Sequence, residues 1–161
     1  MKIAVVMGSL SDLEKVDGGI QILKKYGVQC DVRCLSAHRT ISELEDFIKE
    51  VNSNGTEVII AAAGMAAALP GVIAAQTVLP VIGVPISGQT LDGIDALMSI
   101  VQMPSGIPVA TVAINGSKNA AYLALEIIAV KHKEIKEMLL KEREEMRKQV
   151  LKANEEVMSK Y

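Results

Sequence analysis

Short aliphatic runs alternate along this chain with stretches of helical spacing, and that alternation restricts the fold more than any other feature. Residues 2–7 are a six-residue aliphatic run, too apolar for a half-exposed strand and read as a buried parallel one. Residues 11–26 carry Leu13, Val16, Ile20 and Leu23 at helical spacing and stop at Gly27. Residues 28–34 give a second strand. Residues 41–52 place Ile41, Leu44, Ile48 and Val51 on one helical face before Gly55. Residues 57–63 give a third strand, 81–84 and 109–114 two more, with helices expected at about 66–76, 91–102 and 117–130. Strands and helices in strict alternation imply an α/β domain with a mostly parallel sheet and right-handed crossovers.

That topology predicts where a site would lie. In open parallel sheets, ligands bind beyond the carboxyl ends of the strands. The turns after the first three strands share that edge, and they contain Ser9–Asp12, Ser36–Arg39 and Gly64–Gly71. In Ser36-Ala37-His38-Arg39-Thr40 a hydroxyl, an imidazole and a guanidinium stand within four residues. Histidine is the side chain best suited to moving a proton near neutral pH, and serine with arginine is a common grip on phosphate oxygens. Arg39 will not be buried without a partner, which argues against His38 as a core residue. His132, between Lys131 and Lys133, is expected to be solvated.

The first turn, Gly8-Ser9-Leu10-Ser11-Asp12, lacks the glycine spacing of a dinucleotide-binding turn and the lysine of a P-loop. It reads either as a helix N-cap or as an anion site built on the same helix start. Gly64 to Gly71 is almost free of polar side chains. It offers backbone that can approach a planar ligand closely, or simply tight helix–sheet packing.

Composition excludes several functions. Half of the 161 residues are hydrophobic, yet there is no Trp, one Phe and three Tyr, so the core is aliphatic and little remains for stacking bases. A net charge of −2 gives no electrostatic footprint for nucleic acid. Cys30 and Cys34, the two cysteines, sit too far apart on one extended strand to bridge and are read as reduced core residues of a cytoplasmic protein. Two histidines and two cysteines do not supply a metal site. The apolar run at the N-terminus is too short for a signal peptide. Residues 58–75 come nearest to a membrane span, but Gly64, Pro70 and Gly71 divide them. The final segment, 131–161, is dense in both charge signs and has no Gly or Pro. Ile135, Met138, Leu139, Met146, Val150, Val157 and Met158 recur at helical spacing. It reads as one amphipathic helix of about eight turns, overhanging the 1–130 domain and packing on a neighbouring subunit.

The motifs also occur in a recognisable order. Gly8-Ser9-x-Ser11-Asp12 is followed by Ser36-Ala37-His38-Arg39-Thr40, then by Ala63-Gly64-x-Ala66-Ala67-x-Leu69-Pro70-Gly71. Pro80-Val81-Ile82-Gly83-Val84-Pro85, Ser99-Ile100-Val101-Gln102-Met103-Pro104 and Asn119-Ala120-Ala121 complete the set. Over residues 2–130 this order resembles the PurE family of purine biosynthesis, the N5-carboxyaminoimidazole ribonucleotide mutases. The resemblance implies a three-layer flavodoxin-like, or Rossmann-like, parallel sheet with a long C-terminal helix. It implies transfer of a carboxylate from N5 to C4 of an imidazole ribonucleotide, with no cofactor and no metal. It places the proton-transferring histidine at His38 and substrate-binding positions at Ser9, Asp12 and Arg39, with Ser11 and Ser36 in the same turns and Gly64 in the third. It further implies a homo-octamer whose sites are completed by neighbouring chains. Two positions depart from the family pattern: Ala68 stands where a His precedes Leu-Pro-Gly, and Ile41 where a Pro follows the Ser-Ala-His-Arg-Thr motif. Two other readings stay open on the same scaffold: a carboxylase using free CO2, and a catalytically weak ribonucleotide-binding homologue. Arg39 and Ala66-Ala67 favour the mutase.

Overall fold

The computed structural model describes all 161 residues. Five strands, β1 (Lys2–Met7), β2 (Gln29–Cys34), β3 (Val58–Gly64), β4 (Val81–Ile86) and β5 (Ala110–Thr111), form one sheet in the order β2-β1-β3-β4-β5. Every pairing is parallel. The aliphatic runs are continuous because the two central strands are covered on both faces: β4 is buried throughout and β3 up to its last residue.

One face carries α1 (Leu13–Lys25), α5 (Ser117–Ala129) and the root of α6 (Lys133–Met158), packed on Ile3, Val5, Val58, Ile60, Ile82 and Val84. The other carries α2 (Ile41–Val51), α3 (Leu69–Ala74) and α4 (Ile94–Val101), packed on Ala4, Val6, Ile59, Ala61 and Val81. The result is the expected three-layer α/β sandwich. No helix is long and apolar enough to cross a membrane.

The differences from the sequence reading have local causes. The helix expected at 66–76 shrinks to Leu69–Ala74, because the chain leaves β3 through Met65 in the left-handed region, at φ 56°, and Pro70 then sets the first turn. The helix expected from 91 starts at Ile94, since Asp92 and Gly93 both have positive φ. The fifth strand is only two residues long. Beyond Thr111 the chain still follows β4, with Val112 N–H donating to Gly83 O (3.1 Å) and Asn115 N–H to Pro85 O (2.8 Å), but the regular ladder has ended. The fourth strand runs on to Ile86 instead of stopping at 84.

Three single residues also differ. Cys34 is exposed, not core, because it ends an edge strand with a neighbour on one side only; Cys30 is half-buried against the core, and burial pushes its thiol pKa up. His132 is not a solvated tail residue. The α5–α6 turn folds it back onto the start of β3, where Nε2 lies 2.7 and 3.0 Å from the two carboxylate oxygens of Glu57.

The long helix α6 overhangs the domain. Only Ile135 and Leu139 are buried, and Met146, Val150, Leu151, Val157 and Met158 are exposed. Its anchor is Glu142, whose carboxylate accepts hydrogen bonds from the Tyr26 hydroxyl, from the Tyr122 hydroxyl at 2.8 Å and from Lys25 Nζ at 2.9 Å. The two tyrosine rings meet edge to face at 6.5 Å. The Tyr26 hydrogen bond, helped by Lys25 and Tyr122, holds Glu142 below its ordinary value of 4.5. A folded-state pKa lowered in this way contributes stability above the ordinary value and loses it as the pH falls. Glu142→Gln is therefore expected to be less stable than wild type at pH 7, by about 1 kcal/mol. In denaturant melts that gap should close as the pH drops below 4.5; a gap independent of pH would show that the charge of Glu142 does not hold the helix.

Candidate functional site

The parallel register brings the polar turns to one level. Met7, the last residue of β1, pairs with Cys34 on β2 and Ala62 on β3. The turns after these strands therefore leave the sheet side by side. A cleft of about 580 Å³ lies among them, lined by the 8–12 turn, the 36–39 turn, the 63–69 loop and residues 86–88 at the end of β4. Ser9, Ser11, Asp12, Ser36, His38, Arg39 and Gly64 all line it. A larger concavity, about 980 Å³, opens at the other end of the strands between the 74–81 and 106–110 segments. It contains no acid, base or histidine, whereas the smaller cleft holds Asp12, His38 and Arg39.

The first turn is a helix N-cap. Ser9 is an N-cap with extended backbone whose Oγ accepts the Ser11 N–H at 3.3 Å, and the Asp12 carboxylate reaches back to the Ser9 N–H at 3.2 Å. This is a capping box on the short helical turn Leu10–Asp12 that leads into α1. Asp12 is only 8% exposed, and burial pushes its pKa above the ordinary aspartate value against the lowering effects of the Ser9 amide, the Ser11 hydroxyl and Lys15.

The second turn closes on itself and on the first. Thr40 Oγ1 accepts the Ser36 N–H at 2.8 Å, and Ser36 Oγ accepts the His38 N–H at 3.3 Å. Arg39 lies across the gap: its Nε–H points to Ser36 Oγ at 3.5 Å and its terminal N–H donates to Gly8 O at 3.3 Å. The guanidinium thus ties the two turns together, while the His38 and Arg39 side chains stay exposed.

The hydroxyls show what the cleft can take. The groups donating to Ser36 Oγ, a backbone N–H and a guanidinium N–H, cannot accept. Ser36 is left with its own proton and no acceptor in the protein. Ser9 Oγ likewise accepts the Ser11 N–H at 3.3 Å and the Ser11 hydroxyl at 2.8 Å, which leaves the Ser9 proton without an internal acceptor, whereas the Ser11 hydroxyl is satisfied by Ser9 and lies 3.5 Å from Asp12 Oδ1. Hydroxyl protons without internal acceptors, beside an exposed guanidinium, suit an anionic oxygen.

The far wall is different. From Ala63 to Leu69 it consists of Ala, Gly, Met and Leu, and Gly64 is pressed so close to β4 that a Cβ there would come within 3.2 Å of Ile86 O. Ala68 contributes a methyl group.

Ile86, Ser87 and Gly88 were missed by sequence reasoning. A strand expected to end at 84 puts them in a loop, although the rule that ligands sit beyond strand ends applies to that strand as well.

A family model described as AIR carboxylase matches residues 2–149. The chain is 52% identical over 150 residues to the N5-carboxyaminoimidazole ribonucleotide mutase of Saccharolobus solfataricus, covering 93% of this chain and 95% of that one. It is 55% identical over 126 residues to a phosphoribosylaminoimidazole carboxylase of Candida albicans, covering 78% of this chain but 22% of that longer protein. Among solved structures, Treponema denticola PurE superposes with a TM-score of 0.86 at 29% identity, covering 94% of each chain.

The cap that shapes the first turn is testable by itself. Ser9→Ala removes the acceptor for the Ser11 amide and is expected to cost about 1 kcal/mol of stability. Urea unfolding of the two proteins measures it; equal midpoints would mean that the turn does not depend on its cap.

Proposed function

Because the chain belongs to the AIR carboxylase family, we propose that it works as an N5-carboxyaminoimidazole ribonucleotide mutase of purine biosynthesis, an isomerase that moves a carboxylate from N5 to C4 of the imidazole ring. The observation that carries this reading is the division of the cleft. One half presents hydroxyl protons, the Arg39 guanidinium and an imidazole; the other is apolar and built of small residues. A ribonucleotide has the same two ends.

Ser9, Ser11, Ser36 and Arg39 grip the phosphate, and Asp12, an acceptor at the base of the same turn, takes ribose hydroxyls. The ring lies along the Gly64 loop, where the lack of side chains lets backbone approach its plane. The N5–carboxylate bond breaks to give CO2 while N5 takes a proton. C4 then forms the new carbon–carbon bond, and His38 removes the proton that C4 carried. Atoms and charge balance as an isomerisation, with no redox partner, cofactor or metal. The apolar wall keeps water from the carbamate and holds CO2 within reach of C4. The enzyme is assigned to the cytoplasm by its reduced cysteines and its pathway.

Turnover of the purified protein with the N5-carboxylated ribonucleotide tests this directly. His38→Asn is expected to retain ligand binding and to lose turnover by about 10²–10⁴-fold; near-normal turnover would remove His38 from the mechanism. Product formed from aminoimidazole ribonucleotide and bicarbonate alone, at a comparable rate, would favour the carboxylase reading instead.

The assembly is a homo-octamer in this reading, with residues 131–161 packing on a neighbouring subunit. The support is the exposed apolar stripe of α6 together with Leu91, Ile94, Met98 and Val101, exposed on and beside α4. Light scattering should give eight subunits for the full chain and a smaller species for a truncation after Val130. A full-length monomer at micromolar concentration would refute the octamer.

A further inference from the structure

We propose that Ser87 is a specificity residue of this cleft: its hydroxyl donates a hydrogen bond to the carboxylate that the reaction moves, and so distinguishes carboxylated from uncarboxylated ribonucleotide. The inference rests on the mutase reading and adds a contact that none of the sequence motifs contains.

Position is the first argument. Ser87 follows Ile86, which pairs with Gly64 at the carboxyl ends of β4 and β3. It therefore belongs to the apolar half of the cleft, where the ring and its carboxylate would lie. On that half, from Ala63 to Leu69 and from Ile86 to Gly88, Ser87 is the one residue with a polar side chain.

The second argument is the direction of its proton. The Ser87 N–H lies 3.0 Å from Asn115 Oδ1, and Asn115 Nδ2 lies 2.9 Å from Ser87 Oγ. A backbone N–H can only donate, so the amide oxygen must face it. The Asn115 NH2 group must then face the hydroxyl, and it too can only donate. Ser87 Oγ is thus an acceptor in this clasp, and its own proton has no acceptor in the protein. A hydroxyl held this way is ready for an acceptor such as a carboxylate.

Two backbone features keep the clasp in place. Asn115 adopts the left-handed conformation, at φ 57°, with its N–H bonded to Pro85 O at 2.8 Å. Gly93, at φ 90°, passes so close that a Cβ would lie 3.0 Å from Ser87 Cα.

The chemistry suits a neutral donor. The carboxylate must leave N5 and rejoin at C4. A lysine there would pin the anion as an ion pair, whereas a hydroxyl follows it by rotating its O–H bond.

Equilibrium binding of two probes, 5-aminoimidazole ribonucleotide and its 4-carboxylate, tests the proposal. A hydrogen bond to a charged group is worth roughly 1.5–3 kcal/mol. Ser87→Ala should therefore weaken the carboxylate ligand by about 10- to 100-fold and change the uncarboxylated one by less than about twofold. Ser87→Cys keeps the side-chain size but donates weakly, so it should show the same selective loss in smaller degree. It answers the question if the alanine disturbs the turn. Equal losses for both ligands, or no loss in either variant, would overturn the assignment. A wild-type protein that binds neither ribonucleotide would remove the mutase reading, and this inference with it. Wild-type turnover together with unchanged selectivity in Ser87→Ala would remove this inference alone.

Discussion

The register of β1 against its two neighbours governs everything at the cleft. Met7 is level with Cys34 on one side and Ala62 on the other, and the ladder continues one step past the strands, with Gly8 N–H bonded to Ala62 O and Leu35 N–H to Met7 O. A slip by one residue would turn every side chain of β1 to the opposite core. Because Ile3 and Val5 pack on one helical layer and Ala4 and Val6 on the other, that slip is blocked by packing on both faces. The turns inherit the alignment, so residues nearly thirty apart in sequence meet without any dedicated contact except the Arg39 link to Gly8.

A second regularity is electronic. Polar side chains in the cleft use their acceptor sites internally and leave donors outward. Ser36 accepts from two groups that can only donate, Ser9 accepts an amide and Ser87 accepts an amide nitrogen. Two residues depart from this: Ser11, whose hydroxyl donates to Ser9 Oγ, and Asp12, an acid at the foot of the first turn whose burial disfavours its charge. The cleft thus presents protons held in place by its own hydrogen bonds, and it carries one buried carboxylate and one guanidinium instead of a cluster of lysines.

Much of this was legible from the sequence because the relevant signals are short-range. Continuous aliphatic runs mark strands covered on both faces, and Gly27 and Gly55 mark the ends of their units, so the parallel α/β class and the position of three turns followed, while the order of the strands did not. What escaped was decided by contacts across the fold. Ala66, Ala67 and Ala68 have high helix propensity, but Met65 turns the chain and Pro70 delays the helix. His132 looks like part of a charged tail until the chain reversal sets it against Glu57. Cys34 has the alternation of a core residue, yet an edge strand leaves it uncovered. Ser87 gives no local signal at all; its meaning comes from Asn115, twenty-eight residues away.

The long helix carries a consequence for how the chain becomes ordered. Tertiary contacts secure it as far as Glu142 and Arg143, the latter paired with Glu126. Beyond that point its support is its own backbone ladder and the local pairs Arg147–Glu144 and Lys148–Glu145. A helix of about fifteen residues is marginal in water when nothing covers it. The distal turns therefore stand close to a helix–coil balance, and their amide hydrogens exchange on a different timescale from those of the sheet. Any surface that comes to lie on their apolar stripe tips that balance toward helix, so that for this segment docking and the final step of folding are one event.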